Sequence, residues 1–154
     1  MKLTFIEGNL TNPDVIKLLQ EHLHDMEITS PPESRHALNL DGLKATSVTF
    51  WSAWYDAELK GCCAMKELDA QHGELKSMRT ATSARKAGIG SIMLEFLIEQ
   101  AKSRGYKKLS LETGTQPLFF PAHGLYEKYG FNECEPFADY VLDPYSRFYT
   151  KELD

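Results

Sequence analysis

The sequence predicts an α/β protein, an α+β arrangement with one mixed sheet of about seven strands and roughly four helices. Three observations carry that expectation. Residues 47–80 hold three successive runs of strand-like alternation separated by short turn signals, the mark of antiparallel neighbours. Glu74 to Ser91 then changes period from strand to helix across a polar, glycine-bearing loop. A further alternating run, Lys108 to Thr113, follows that helix, so strand, helix and strand make one parallel crossover.

Taken in order, Lys2 to Glu7 alternates Leu3 and Phe5 with Thr4 and Ile6, a first strand closed by Gly8-Asn9. Asn12 caps a helix with Pro13 in its first turn, and Ile16, Leu19, Leu23 and Met26 recur at helical spacing. His22 and His24 lie two apart on it, share no face, and read as partly exposed helix residues rather than a metal pair. From Thr29 to Lys44 the pattern breaks: Ser30-Pro-Pro32 stops the helix, Asp41-Gly42 marks a turn, and so long an irregular stretch suits a binding wall or lid. Ser34 and His36 are polar groups available on it.

Ser47 to Tyr55 is apolar on both faces and reads as an interior strand, turned back by Asp56-Ala-Glu58. In the next strand, Leu59 to Glu67, Gly61, Cys63 and Met65 share a face, and residues 69–73 turn into the strand that begins at Glu74. After Gly90, Ile92, Met93, Phe96, Leu97 and Ala101 form the inner stripe of a helix that Gly105 ends. Pro121 opens a last helix with Ala122, Leu125, Tyr126 and Tyr129 on one face and Gly130 at its end. Phe131 to Glu135 and Ser146 to Leu153 supply two final strands.

At 154 residues, with no repeat or low-complexity linker, a single domain over 1–154 is expected. A net charge of −5 argues against general affinity for nucleic acid or an anionic membrane and favours amine partners. Three cysteines, Cys62 and Cys63 adjacent, make neither a disulfide framework nor a zinc spacing, so no metal and a cytoplasmic setting are expected.

Arg85-Lys-Ala-Gly-Ile-Gly90 brings two cations and two glycines to the start of a helix. Backbone N–H groups there lack intrahelical partners and, with the helix dipole, attract an anion. The spacing Arg85-x-x-Gly88-x-Gly90 resembles the R/Q-x-x-G-x-G/A pyrophosphate loop of the GNAT superfamily of acyl-CoA-dependent N-acyltransferases. Leu125-Tyr-Glu-Lys-Tyr-Gly-Phe131 is similar to that family's L-Y-E-K-x-G-F segment, and the order of elements extends the likeness over nearly the whole chain.

The resemblance implies an N-acetyltransferase that moves an acetyl group from acetyl-CoA to a primary amine of a small or amino-acid-like molecule, by direct transfer in a ternary complex. It places the coenzyme pyrophosphate on the backbone of Lys86, Ala87, Gly88, Ile89, Gly90 and Ser91, with charge from Arg85 and Lys86. The pantetheine arm would pair with Met78, Arg79 and Thr80, the Met78 N–H meeting the acyl oxygen. Such a transfer also needs a base for the incoming amine and an acid for the departing thiolate. Glu74 falls where some members keep a general base, with Glu112 and Glu67 in reserve, and strict alternation puts Glu74, Lys76, Met78 and Thr80 on one face. Against this, Glu74 could simply be a solvated strand-start residue. Tyr126 matches the tyrosine that protonates the thiolate, the alternative being a core aromatic. Ser34, Trp51, Glu112 and Tyr140 are expected at the acceptor, and a monomer or homodimer is expected. Phe120 departs from the family pattern, which often has asparagine there.

Three rival readings compete with this one. A nucleotide-binding oxidoreductase would use Gly88-x-Gly90, but Met93 stands where a third glycine belongs. A covalent route through Cys63 lacks a histidine tied to it in sequence. A non-catalytic acyl-CoA-binding sensor or interaction module of the same fold is the serious alternative.

Overall fold

A computed structural model describes residues 2–29, 31, 40–81 and 88–153. The elements run β1 (Thr4–Glu7), α1 (Pro13–Thr29), α2 (Leu40–Leu43), β2 (Val48–Tyr55), β3 (Glu58–Asp69), β4 (His72–Thr80), α3 (Ile89–Ser103), β5 (Lys108–Gly114), α4 (Phe120–Lys128), β6 (Asn132–Cys134) and β7 (Ser146–Glu152). A 3-10 turn, Pro117–Phe119, leads into α4. The seven strands form one sheet in the order β1-β2-β3-β4-β5-β7-β6. Its one parallel pair, β4 with β5, is the crossover that α3 spans, so the mixed sheet and four helices are as the sequence predicts.

Local chemistry accounts for the element ends. Asn12 Oδ1 accepts from the N–H groups of Asp14 at 2.9 Å and Val15 at 3.3 Å, starting α1. Asp56 and Ala57, with φ of 52° and 65°, make the tight turn between β2 and β3. The C-terminus of α3 closes through Tyr106 N–H to Ala101 O at 3.1 Å and Gly105 N–H to Lys102 O at 3.0 Å, with Gly105 at φ 81°.

Helices cover both faces of the sheet. On one face Val15, Leu18 and Leu19 of α1 pack on Phe50, Cys62 and Ala64. The inner face of α1 is thus rotated from the stripe read in the sequence, where Ile16 and Leu23 were its members; both are only half-buried. On the other face Met93, Leu94, Leu97 and Ala101 of α3 pack on Trp51, Cys63, Met65, Leu75, Leu109 and Leu111. Asp41-Gly42, expected as a turn, lies inside the one-turn helix α2, where Lys44 N–H reaches Asp41 O at 3.2 Å.

One departure bears on the site. Cys62 pairs with Arg79 and Ala64 with Lys76, so two steps on β3 oppose three on β4, and Ser77 takes φ 53°. This bulge reverses the alternation of β4 at its midpoint. Glu74 and Lys76 lie on the α1 face with their partners Lys66 and Ala64. Met78, by contrast, packs into the α3 core. Thr80 Oγ1 comes within 3.9 Å of a Cβ built on Gly90, also on that side. The single face expected for Glu74, Lys76, Met78 and Thr80 is therefore corrected to two, because strict period-two reading has no place for an inserted residue.

Candidate active site

The ladder between β4 and β5 ends at Leu75 with Leu111, although β4 continues to Thr80 and β5 to Gly114. The strands part there, and the gap opens the sheet from face to face. A cavity of about 700 Å³ runs from the start of α3, Gly88 to Ser91, past Met78, Arg79 and Thr80 to Leu125 and Tyr126. A second, of about 120 Å³, is lined by Glu74 to Met78 on β4 and Leu111 to Gly114 on β5. Both share His22, Met26, Met78, Phe119, Ala122 and Tyr126, so they meet at Tyr126.

The larger cavity joins Gly88, Ile89, Gly90 and Ser91 to Met78, Arg79 and Thr80. Gly88 has φ 79°, and among the described residues no side chain caps the first N–H groups of α3, the groups that an anion would meet there. A Cβ on Gly90 would lie 3.1 Å from Leu125 Cδ2, so glycine there keeps the helix start close against α4. An elongated donor with an anionic end fits this form. Arg85, Lys86, Ala87 and Ser34 lie outside the described residues.

Tyr126 is 8% exposed and packs its ring 5.9 Å from those of Phe131 and Tyr149. Burial first, then the charge of Glu112, pushes its phenol up to about 12. Glu74 is buried, not solvated. Its Oε2 accepts from Tyr140 OH at 2.5 Å and from Lys76 Nζ at 3.2 Å, while Lys76 Nζ also donates to Tyr140 OH at 2.8 Å. Burial and the Glu74 carboxylate hold the Tyr140 phenol well above its ordinary range. Glu112 lines the smaller cavity and accepts from Ser146 Oγ at 2.7 Å.

Trp51 stands apart from these groups. It is buried on the α3 side, edge-on to Phe96 at 5.2 Å and beneath Arg104 at 5.6 Å, and lines neither cavity. Its strand, β2, is separated from the gap by β3 and β4. The expectation that it borders the acceptor is corrected accordingly.

Sequence reading missed His22, Met26 and Phe119. His22 and Met26 lie four and eight residues beyond buried Leu18, so the true inner face of α1 would have found them. Phe119 sits on the 3-10 turn, where no periodicity marks it. Arg79 turns to α1 and pairs with Asp25 at 2.6 Å, tying that wall to β4. Among the described residues no cluster of His, Cys, Asp and Glu could hold a metal, and no helix is long and apolar enough to cross a membrane.

A fold with one parallel crossover, a split beside it and a glycine-opened helix start defines a class. Residues 15–131 match the acetyltransferase (GNAT) family. The chain is 54% identical to the uncharacterized N-acetyltransferase YsnE of Bacillus subtilis, covering 94% of this chain and 96% of that one. It is 50% identical to the uncharacterized N-acetyltransferase YedL of Escherichia coli, over 97% and 94% of the two chains. Its fold is also that of a GNAT family acetyltransferase from Elizabethkingia anophelis solved with acetyl-CoA bound, at TM-score 0.70, 23% identity and 98% coverage of both chains. The chain belongs to the acetyltransferase (GNAT) family, and acetyl transfer is its class of reaction.

Proposed function

We propose that residues 1–154 act as one N-acetyltransferase domain that moves an acetyl group from acetyl-CoA to a primary amine of a small or amino-acid-like acceptor. The transfer is direct, within a ternary complex, and takes place in the cytoplasm. One observation carries the reading: an elongated cavity that begins at an open helix start meets a small carboxylate-lined cavity at a buried tyrosine. Two substrates entering by separate routes would meet at Tyr126.

Bound acetyl-CoA supplies an activated thioester. The N–H groups at Gly88 to Ser91 hold its diphosphate, helped by Arg85 and Lys86, and the β4 rim from Met78 to Thr80 guides its arm. Tyr126 stays protonated at neutral pH and gives its proton to the departing sulfur. Glu74 takes a proton from the acceptor ammonium, directly or through water, because only the neutral amine is nucleophilic. Lys76 and Tyr140 fix that carboxylate through one oxygen. Glu112 on the adjoining strand adds negative charge that favours a cationic acceptor.

Thiol release from acetyl-CoA, measured with a panel of small primary amines, tests this. Amine-dependent release with intersecting initial-rate lines is expected. Parallel lines would point to a covalent acetyl-enzyme instead. Tight acetyl-CoA binding with no release for any amine would favour the sensor reading and end the catalytic one.

A further inference from the structure

We propose that His22 is a further catalytic residue, one that accepts a hydrogen bond from the acceptor amine where the two cavities meet. The proposal rests on the amine-acetyltransferase reading and adds the group that orients the acceptor. α1 brings His22 to the gap from one face of the sheet, and α4 brings Tyr126 from the other. The imidazole therefore lines both cavities at their junction, on the opposite side of the sheet from Tyr126.

The described histidines differ in their bonding. His72 shares a 2.7 Å hydrogen bond with Ser110 Oγ, and His123 bonds Gly114 O at 2.8 Å, so both have structural partners. No hydrogen bond joins either ring nitrogen of His22 to a described residue. His22 is half-buried, with part of its surface open to both cavities, so the partner of its ring nitrogens comes from what fills them. Packing among protein atoms, then the Arg79 guanidinium, lowers its pKa to about 4, against a smaller opposing effect of Asp25. Asp25 is itself paired with Arg79. Around the cavity stand the Glu74 carboxylate with Lys76, the Glu112 carboxylate, and the Tyr126 phenol.

A neutral imidazole carries one bare nitrogen and one N–H. The bare nitrogen takes an N–H of the amine and turns its lone pair toward the thioester carbon, and an uncharged ring does not repel a cationic acceptor on entry. An apolar side chain of similar size would leave the amine free to rotate, which raises acceptor KM and lowers kcat together. His22 lines the donor's cavity as well, but the donor is anchored at the α3 start and the β4 rim, so its affinity should change far less than the acceptor's.

The test compares His22→Phe, which keeps the bulk, with His22→Asn, which keeps a hydrogen-bond acceptor near the ring Nδ1. Kinetics use spermidine, tyramine, lysine and glycinamide as probe amines, and calorimetry measures acetyl-CoA affinity. For the amine that turns over best, His22→Phe should lower kcat/KM by at least tenfold with acetyl-CoA affinity within twofold, and His22→Asn should recover part of the loss. Separately, the ring nitrogens of ¹⁵N-histidine-labelled protein saturated with coenzyme A should shift on addition of that amine. Unchanged kcat/KM in His22→Phe overturns the proposal while leaving the acetyltransferase reading intact. If no probe amine gives thiol release, that reading fails by itself, and ring resonances unmoved by all four amines then overturn the role of His22 too. Should His22→Phe not fold, His22→Asn and the ring resonances decide.

Discussion

At Tyr126 the same burial that makes the side chain part of the core also gives it a use. A phenol held at about 12 is a poor acid toward most groups, but thiolate is a good leaving group and needs only a weak donor. Tyr126→Phe should therefore lower kcat about a hundredfold, within the range typical of lost general acids. Calorimetric affinity for acetyl-CoA should stay within about twofold, since the proton moves only in the transition state. Kinetics matching the parent would return Tyr126 to a packing role. Glu74 calls for a paired comparison. Glu74→Gln removes basicity but keeps size, and should reduce the rate most near neutral pH, whereas Glu112→Gln should have the smaller effect. The reverse ranking in the two pH–rate profiles would move the base to β5. The Gln variant also leaves the Lys76 ammonium, 8% exposed, without its counter-charge. A stability loss on the order of 3 kcal/mol in urea unfolding is expected beside the kinetic effect. The position of Glu74 was legible by counting back from Arg85. Its attachment to Tyr140, 66 residues further on, was not, because only the folded sheet brings β4 and the β6–β7 loop together.

At the scale of elements, β4 decides how the gap is built. Its bulge lets one strand send Glu74 and Lys76 to the α1 face and Met78 and Thr80 to the α3 face, so both sides of the sheet contribute to one cleft. No residue in Lys76-Ser-Met-Arg79 announces the bulge, since each tolerates a regular strand. Opposite it, glycine is required: a Cβ on Gly61 would lie 2.7 Å from Arg79 O and 2.9 Å from Met93 Sδ. Gly61→Ala must push α3 or the bulged backbone away, and about 1–3 kcal/mol of stability should be lost in urea unfolding. Gly88 differs. A Cβ there meets nothing within 4 Å, but φ 79° disfavours any other residue by about 1–2 kcal/mol. A bulky residue at Gly88 should leave the circular dichroism spectrum intact while abolishing acetyl-CoA binding by calorimetry. Unchanged affinity would sink the assignment of the diphosphate to this helix start.

Across the whole molecule, the sequence was most informative where local chemistry and tertiary structure agree. Met93, Leu97 and Ala101 of the α3 stripe, Gly105 and Gly130 at helix ends, the two apolar faces of β2 and the alternation of β3 and β5 appear in the fold as read, whereas Ile92 and Phe96 are only half-buried and Leu94 and Ile98 join the core instead. It was least informative where a residue answers to distant neighbours, as when β2 directs Trp51 into the α3 core and α1 turns His22 toward the gap. His22 also links the site to global stability. Its folded pKa of about 4 lies below the ordinary 6.5, so the unfolded chain binds the proton more readily. Stability from this group is therefore complete above pH 6.5 and declines as pH falls toward 4. His72, also lowered by burial, adds in the same direction. The alkaline limit is set by the buried Cys62 and Cys63 thiols, which burial raises above their ordinary 9.0, and then by the Tyr126 phenol, so stability falls as pH rises above about 9. Urea unfolding should thus show a plateau between about pH 6.5 and 9 with a decline on each side. Between pH 7 and 4 the His22 share should approach about 3 kcal/mol. His22→Asn removes that titration and should flatten the acid limb by a comparable amount, leaving the alkaline limb unchanged. An acid limb equally steep in the variant would show that the imbalance in proton uptake lies in other groups.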